Sequence, residues 1–505
     1  MKKILSLFIL YFSCFNLFAQ TNFNKELITG GGYVYKMRFD GTQVTNIYLS
    51  PPYGYFLEGA SSICDSNGNL ILCSDGYNVY DSNFNYVEEG DTLVPKLFYQ
   101  DQDGFSGYSG GGYILPFDTG KYYLVTPAMS DAHYTDYIIN ATADSISKAC
   151  YDMLLYHVID MKANGGAGKV VKKAVELLAN VRTDRVRMTA CKHANGKDWW
   201  VLKQATDTNM IYSFLFRQDT VEGPFIQGFA EPHFGRERGW ANNNGQSTFN
   251  QQGTKYVSGT NSWKNNFFMA DFDRCTGILS NPKTINVPLD SAGTNWEDHT
   301  LSGLAFSQYG QFVYVIKGSN IWQYDLNDSD SATAWYHVTF LDTTWAAFQV
   351  FVSSYLAPDG KIYIGNRNGL SKQMSTIDNP DVKGVGCNFC PRCHRFQYPG
   401  ASNLPNMPNY DLGPLQPCWP LEVSGISKEI SKLSCYPNPA SMSLTIELTS
   451  HKNGVVPLEM YNMVGELVLK TEIQSQTKVQ IKISSLPKGV YVIRCEGASQ
   501  KVVIE

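Results

Sequence analysis

The densest group of chemically capable side chains in this 505-residue sequence is the run GCNFCPRCH, which holds Cys387, Cys390, Cys393 and His394, with Cys418 downstream. Its CxxCH core, Cys390 to His394, has the form of a c-type haem attachment site, and its two CxxC spacings are those of a zinc knuckle. Haem attachment needs two free thiols and an axial histidine, and zinc needs thiolates. An oxidising route instead favours disulfides among Cys387, Cys390, Cys393 and Cys418. The leading expectation is therefore a structural staple with no cofactor; c-type haem or zinc is the alternative.

Other sets carry less. Gly107, Ser109 and Gly111 in GYSGG satisfy the GxSxG pattern of a nucleophile elbow, but the elbow needs a helix after the serine and here a strand-like YILPF follows. NWEDH offers Glu297, Asp298 and His299, and EPHFGRERGW offers Glu231, His233, Arg236, Glu237, Arg238 and Trp240. A carboxylate pair could cleave a glycosidic bond only if held at a set separation across the sugar, which sequence does not fix. Trp199, Trp200, Trp263, Trp296, Trp322, Trp335 and Trp345 could stack on sugars, although tryptophan in strand-like runs is ordinarily core. His193 in KHANG reads as a turn-stabilising hydrogen-bond partner. No catalytic residue is assigned.

These residues sit on a repeating frame. SSICDSNGNLILCSDG from Ser61, MTACKHANGKDWWVLKQA from Met188 and SSYLAPDGKIYIGN from Ser353 each read strand, tight turn, strand. Asn67-Gly68, Asn195-Gly196 and Asp359-Gly360 supply the positive φ such hairpins need. Six such cores and a further strand from Cys150 predict an all-β propeller of about seven blades over residues 21–420. GKVVKKAVELLANV from Gly168 is the clearest helix candidate, with spacing that also suits a strand and turn. The composition agrees with a β-rich extracellular protein: 17% charged residues, 13% aromatic and 43 glycines. A net charge of -5 without a basic stripe excludes nucleic acid as an expected partner.

Both ends speak of export. Lys2 and Lys3 precede an apolar run to Phe18, and cleavage after Ala19 would remove residues 1–19 as a signal peptide. No later stretch is apolar enough for a transmembrane helix. Twelve cysteines become eleven once Cys14 leaves with the signal, so at least one thiol is unpaired by disulfide. At the far end Leu444, Ile446 and Leu448, and then Val479, Ile481 and Ile483, alternate with polar residues, which predicts a small Ig-like β-sandwich over residues 433–505 after a linker at 421–432.

This tail resembles the type A C-terminal sorting domain of the type IX secretion system of Bacteroidetes. The matching positions are Tyr436, Pro437, Asn438 and Pro439, then Leu444, Ile446, Tyr461 and Gly465, then Leu486, Gly489, Tyr491 and Lys501. The resemblance implies passage through the periplasm, recognition by the outer-membrane machinery and removal of the tail near the linker. The mature part would then be released or coupled to surface polysaccharide. Residues 21–420, through segments such as CKHANGKDWWVL and NLPNMPNYDLG, resemble the propeller-like region of uncharacterised exported Bacteroidetes proteins, which carries no catalytic residues to transfer. A secreted or cell-surface binding or adhesion protein with an unidentified glycan or protein ligand is expected. An extracellular hydrolase for glycans or peptides is the alternative.

Overall fold

Hairpins with glycine at the turn build most of the chain: Gly68, Gly196 and Gly360 all have φ between 72° and 82°. The computed structural model describes residues 22–30, 33–49, 56, 60–100, 112–140, 142, 150–206, 208–230, 245–259, 266–288, 301–330, 332–340, 351–366, 371–400, 404–415, 418, 432–449, 455–462, 466–474, 478–495 and 498–505. The chain divides into two compact units, Met1–Cys418 and Trp419–Glu505.

The first unit is a succession of antiparallel sheets. The first holds β1 (Glu26–Thr29), β2 (Val34–Asp40) and β3 (Gln43–Leu49); the next holds β4 (Ser61–Cys64), β5 (Leu70–Ser74) and β6 (Val79–Asp81). A seven-stranded sheet follows: β7 (Tyr113–Asp118), β8 (Lys121–Ala128), β9 (Tyr151–Asp160), β10 (Lys169–Lys192), β11 (Trp199–Ala205), β12 (Met210–Phe216) and β13 (Val221–Gly228). Three four-stranded sheets complete the unit. They are β14 (Ser247–Phe249) to β17 (Leu279–Asn286) by way of β15 (Lys255–Gly259) and β16 (Asn266–Phe272); β18 (Leu301–Phe306) to β21 (Trp335–Phe340) by way of β19 (Phe312–Lys317) and β20 (Asn320–Asp325); and β22 (Phe351–Leu356) to β25 (Phe389–Arg395) by way of β23 (Ile362–Asn366) and β24 (Gln373–Ile377).

Successive sheets touch through β1 and β4, β4 and β7, β10 and β14, β14 and β18, and β18 and β22, which is the arrangement of a propeller around an axis. The last sheet closes on the first: Asn24 Nδ2 donates to Tyr355 Oη at 3.4 Å, Asn46 Nδ2 donates to the Arg395 carbonyl at 2.9 Å, and Phe39 packs edge-on against Tyr363. Each four-stranded meander therefore has its first and third turns at one end, the turn face, and its second turn and the crossover to the next sheet at the other, the crossover face.

The segment that could have been a helix is the 24-residue β10. It pairs with β9 as far as Thr183 and with β11 from Thr183 onward, so one strand serves two neighbouring sheets. Register shifts between Val170 and Thr183, with positive φ at Ala174 and Asn180, spread the apolar positions out of strict alternation. That irregularity is what imitates helical spacing in the sequence.

The second unit is a two-sheet β-sandwich. One sheet has β26 (Lys432–Tyr436), β27 (Ser443–Thr449) and β30 (Lys478–Lys482); the other has β29 (Leu467–Gln474), β28 (Val455–Asn462), β31 (Gly489–Cys495) and β32 (Ala498–Ile504) in that order. Leu444, Ile446 and Leu448 are buried against Leu458, Met460, Ile493 and Val502, as period-two alternation requires.

Candidate functional site

The tail positions singled out in the sequence fall into two layers. Tyr491 is 4% exposed and its hydroxyl donates to the Pro487 carbonyl at 2.7 Å, closing the turn that leads into β31 at Gly489; Leu486 packs on the same core. These residues shape the sandwich. Pro437, Asn438 and Pro439, by contrast, are exposed. The prolines have no amide hydrogen, so Asn438 supplies the polar contacts of this stretch: its Nδ2 donates to the Lys501 carbonyl at 2.9 Å and its Oδ1 accepts from Val503 N at 2.8 Å. Ala440 N then donates to the Val503 carbonyl and Glu505 N to the Ala440 carbonyl. The stretch is thus laid along β32, where Val502 and Ile504 point inward and Lys501 outward. The outcome is one solvent-facing surface carrying Tyr436, the Pro-Asn-Pro run and Lys501. Gly465 lies outside the described residues.

In the first unit the axis is occupied by the chain itself. Leu404 N donates to Ser353 Oγ at 2.8 Å, and Asn406 Nδ2 donates to the Ser247 carbonyl at 2.7 Å and the Met188 carbonyl at 3.3 Å. Asn409 Nδ2 reaches the Gln251 carbonyl and Tyr410 Oη the Ile114 carbonyl, while Lys192 Nζ donates to the Tyr410 carbonyl at 2.6 Å. Gln246, 4% exposed, ties this segment to its surroundings: its Nε2 donates to the Ser354 carbonyl and Asn406 Oδ1, and its Oε1 accepts from Leu304 N. Residues 404–412 consequently bond to four sheet segments, and Gln246 extends the network to a fifth through Leu304. A cavity of about 40 Å³ beside them, lined by Gln246, Tyr355 and Asn406 among others, holds a few waters at most. Beyond it Leu415 N donates to the Ala194 carbonyl, and Cys418 forms a disulfide with Cys275; both partners sit in hairpin turns, so the segment leaves on the turn face.

The cysteine cluster divides differently from the sequence expectation. Cys390 and Cys393 pair with each other on β25, Cys418 pairs with Cys275 outside the cluster, and Cys387 is a buried free thiol raised in pKa by burial. The cysteine that reaches Cys418 lies 143 positions away, a distance no local motif reveals. His394 Nε2 contacts Asn46 Oδ1 at 3.0 Å, and the ring is set edge-on to Tyr363 and Phe396. Its ligating nitrogen is thus committed to a neighbouring sheet. Among the described residues no three His, Cys, Asp or Glu side chains converge as metal ligands.

Burial pushes the His394 imidazole down to about 4 and the His157 imidazole to about 3, from 6.5. Both stay neutral in the fold while the unfolded chain takes up protons below 6.5. The stability this supplies is complete above 6.5 and is lost as pH falls toward the folded values. Urea unfolding at about pH 7.5 and about pH 4.5 is expected to differ by up to about 5 kcal/mol from these two groups. The pair His157→Gln and His394→Gln should remove most of that difference; an undiminished pH dependence in the double variant would show that other groups set it.

The remaining sequence candidates separate cleanly. Trp199 and Trp200 are core, with indoles donating to the Pro116 and Arg274 carbonyls, and Trp322 stacks on His337. His193 braces its turn, accepting from Asn195 N at Nδ1 and meeting the Cys275 carbonyl at Nε2. Gly107, Ser109, Gly111, Glu231, His233, Arg236, Glu237, Arg238, Trp240, Trp263, Trp296, Glu297, Asp298, His299 and Trp345 lie outside the described residues, as do residues 1–19 and the linker at 421–431. Sequence reasoning missed Gln246, Asn406 and Tyr410. NLPNMPNY carried a signal for them: asparagines alternating with prolines in an otherwise apolar stretch cannot join a sheet ladder, yet must satisfy their amides.

The surface built by Pro437, Asn438, Pro439 and Lys501 falls within a recognised family. Residues 434–505 match the secretion system C-terminal sorting domain. The chain therefore carries a type IX sorting domain, which implies export, a secreted or cell-surface location and contact with the type IX machinery. No helix among the described residues is long and apolar enough to cross a membrane. No curated protein matches the chain. Solved structures of similar fold include a Bacteroides fragilis protein assigned as a 6-phosphogluconolactonase (11% identity, 75% of this chain and 97% of that one, TM-score 0.43). Another is the periplasmic gluconolactonase of Pseudomonas aeruginosa (12% identity, 75% and 98% coverage, TM-score 0.41). At these identities and TM-scores the likeness carries no argument, and the activities in those names are not carried over.

Proposed function

We propose that this chain is type IX cargo whose sorting sandwich delivers a propeller to the outside, where the propeller acts as a non-catalytic binding or adhesion module. The observation that carries the second half is the filled axis: with residues 404–412 bonded through the ring, what the unit offers a partner is its faces and rim. Dividing β10 at Thr183 gives seven sheet segments, and we read them as seven blades. We also read 1–19 as a cleaved signal, 421–432 as the linker at which the tail is removed, and surface polysaccharide as the possible anchor.

Protein recovered from medium and cell surface is expected to have an intact mass lacking residues 1–19 and the sorting sandwich. Recovery of a species ending at an unmodified Glu505 would overturn the cargo reading. A strain lacking the chain should attach less well to polysaccharide-coated surfaces while growing normally on those polysaccharides. Lost growth with normal attachment would favour an extracellular hydrolase instead.

A further inference from the structure

Three tyrosines stand together on the crossover face where the last sheet meets the first. Tyr33, just before β2, is 41% exposed, Tyr48 near the end of β3 is 39%, and Tyr398, beyond β25, is 37%. Tyr33 and Tyr398 are stacked with centroids 5.4 Å apart and 11° between planes; Tyr48 lies 4.9 Å from Tyr398 and 6.1 Å from Tyr33. Their position follows from topology. Arg38 Nη1 donates to the Gly68 carbonyl and Lys25 pairs with Asp40, so the β2–β3 turn shares the turn face with the β4–β5 turn, and the opposite ends of β2 and β3 carry Tyr33 and Tyr48. β25 runs toward that same end and delivers Tyr398.

The group is held from beneath. Buried Tyr35, 1% exposed, donates through its hydroxyl to the Tyr398 carbonyl at 3.1 Å and accepts from Tyr398 N at 2.5 Å. Gly400 admits the close approach: a Cβ there would lie 2.8 Å from the Tyr33 carbonyl oxygen and 2.9 Å from Tyr35 Cε2. Asn46, between His394 and the Arg395 carbonyl, fastens β3 to β25. Exposed rings gathered from two sheets and fixed by buried hydrogen bonds are more than scattered surface aromatics.

We propose that Tyr33, Tyr48 and Tyr398 form a binding platform for a neutral polysaccharide chain. This rests on the binding-module reading and names its ligand class. Aromatic faces receive the C–H face of a sugar while ring hydroxyls meet its hydroxyls at the edge. Beside Tyr398 stands the Gln397 amide, which donates to Tyr398 Oη at 3.3 Å and suits a hydroxyl-rich ligand. Mutual stacking leaves little side-chain freedom to lose on binding. Leu415 and Cys418 are held at hairpin turns on the turn face, the face opposite the platform.

The test is native affinity electrophoresis of the full chain in gels cast with laminarin, xylan or galactomannan. Retardation by at least one is expected, with each single replacement Tyr33→Ala, Tyr48→Ala or Tyr398→Ala weakening it about fivefold and the triple replacement more than about fiftyfold. Tyr309→Ala, at a 76% exposed position on the turn face, should leave it unchanged, and melting temperatures should match. Tyr48→Phe, which keeps the ring, should retain most binding. Equal retardation of wild type and triple variant overturns the platform and leaves the binding-module reading standing. Absence of retardation in all three gels overturns the polysaccharide assignment, and tyrosine-dependent binding to a protein instead would give the patch to a protein partner. Whole-cell attachment separately decides the broader reading.

Discussion

Removal of residues 434–505 is expected to abolish delivery to the cell surface and medium and to leave the propeller in the periplasm. The matched domain occupies those residues, and it forms its own core of Leu444, Ile446, Leu458, Ile493 and Val502, so its deletion takes nothing from the core of the first unit. Cell fractionation with detection of the propeller reads the result directly; continued surface display without the sandwich would sink the sorting role. Point variants separate shape from recognition. Lys501→Glu changes an outward side chain while β32 keeps its ladder to β31, so it should impair export with the sandwich still folded. Asn438→Ala removes two solvent-facing hydrogen bonds and should cost about 1 kcal/mol, a noticeable fraction of the stability of so small a domain. Export that survives both changes would place recognition elsewhere on the sandwich.

Local chemistry made the strands and turns legible, and distance hid the rest. Asn67-Gly68 and Asp359-Gly360 mark hairpins because only certain residues accept their φ, and Leu444, Ile446 and Leu448 mark a half-buried strand because alternate positions face one core. The export tail was readable for a further reason: its motif residues recur in a fixed order within one compact sandwich, residues 434–505. β10 was ambiguous because bulges break its period. The buried cluster in which Asp184 lies between Arg187 and Lys203 was invisible, since charged residues in a strand ordinarily face water; here the carboxylate's contacts with two cations offset part of the cost of burying all three. The tyrosine platform was equally hidden. Tyr33, Tyr48 and Tyr398 span 365 positions and meet only because the ring closes on itself, and Cys275 meets Cys418 only because the chain returns along the axis.

Breaking the Cys275–Cys418 disulfide should be the most damaging two-atom change in the propeller. In the chain-entropy account, a link across 143 positions withholds about 5 kcal/mol of freedom from the unfolded chain. Cys418→Ser is therefore expected to lower the melting temperature by roughly 6 °C for a unit of this size. Cys275→Ser should match it and the double variant should add nothing, because both remove one bond. The link also pins the far end of the axial segment, whose near end is held by Asn406 and Tyr410. Without it, residues 413–418 keep Arg274 Nη2 on the Gly413 carbonyl and Leu415 N on the Ala194 carbonyl, two exchangeable contacts in place of a covalent one. Hydrogen exchange should accordingly rise at Leu415 first while Tyr410, roofed by Trp199 and Phe23, stays protected. Equal loss of protection at both positions would mean that the disulfide, and not the hydrogen bonds along the axis, holds the segment in the ring.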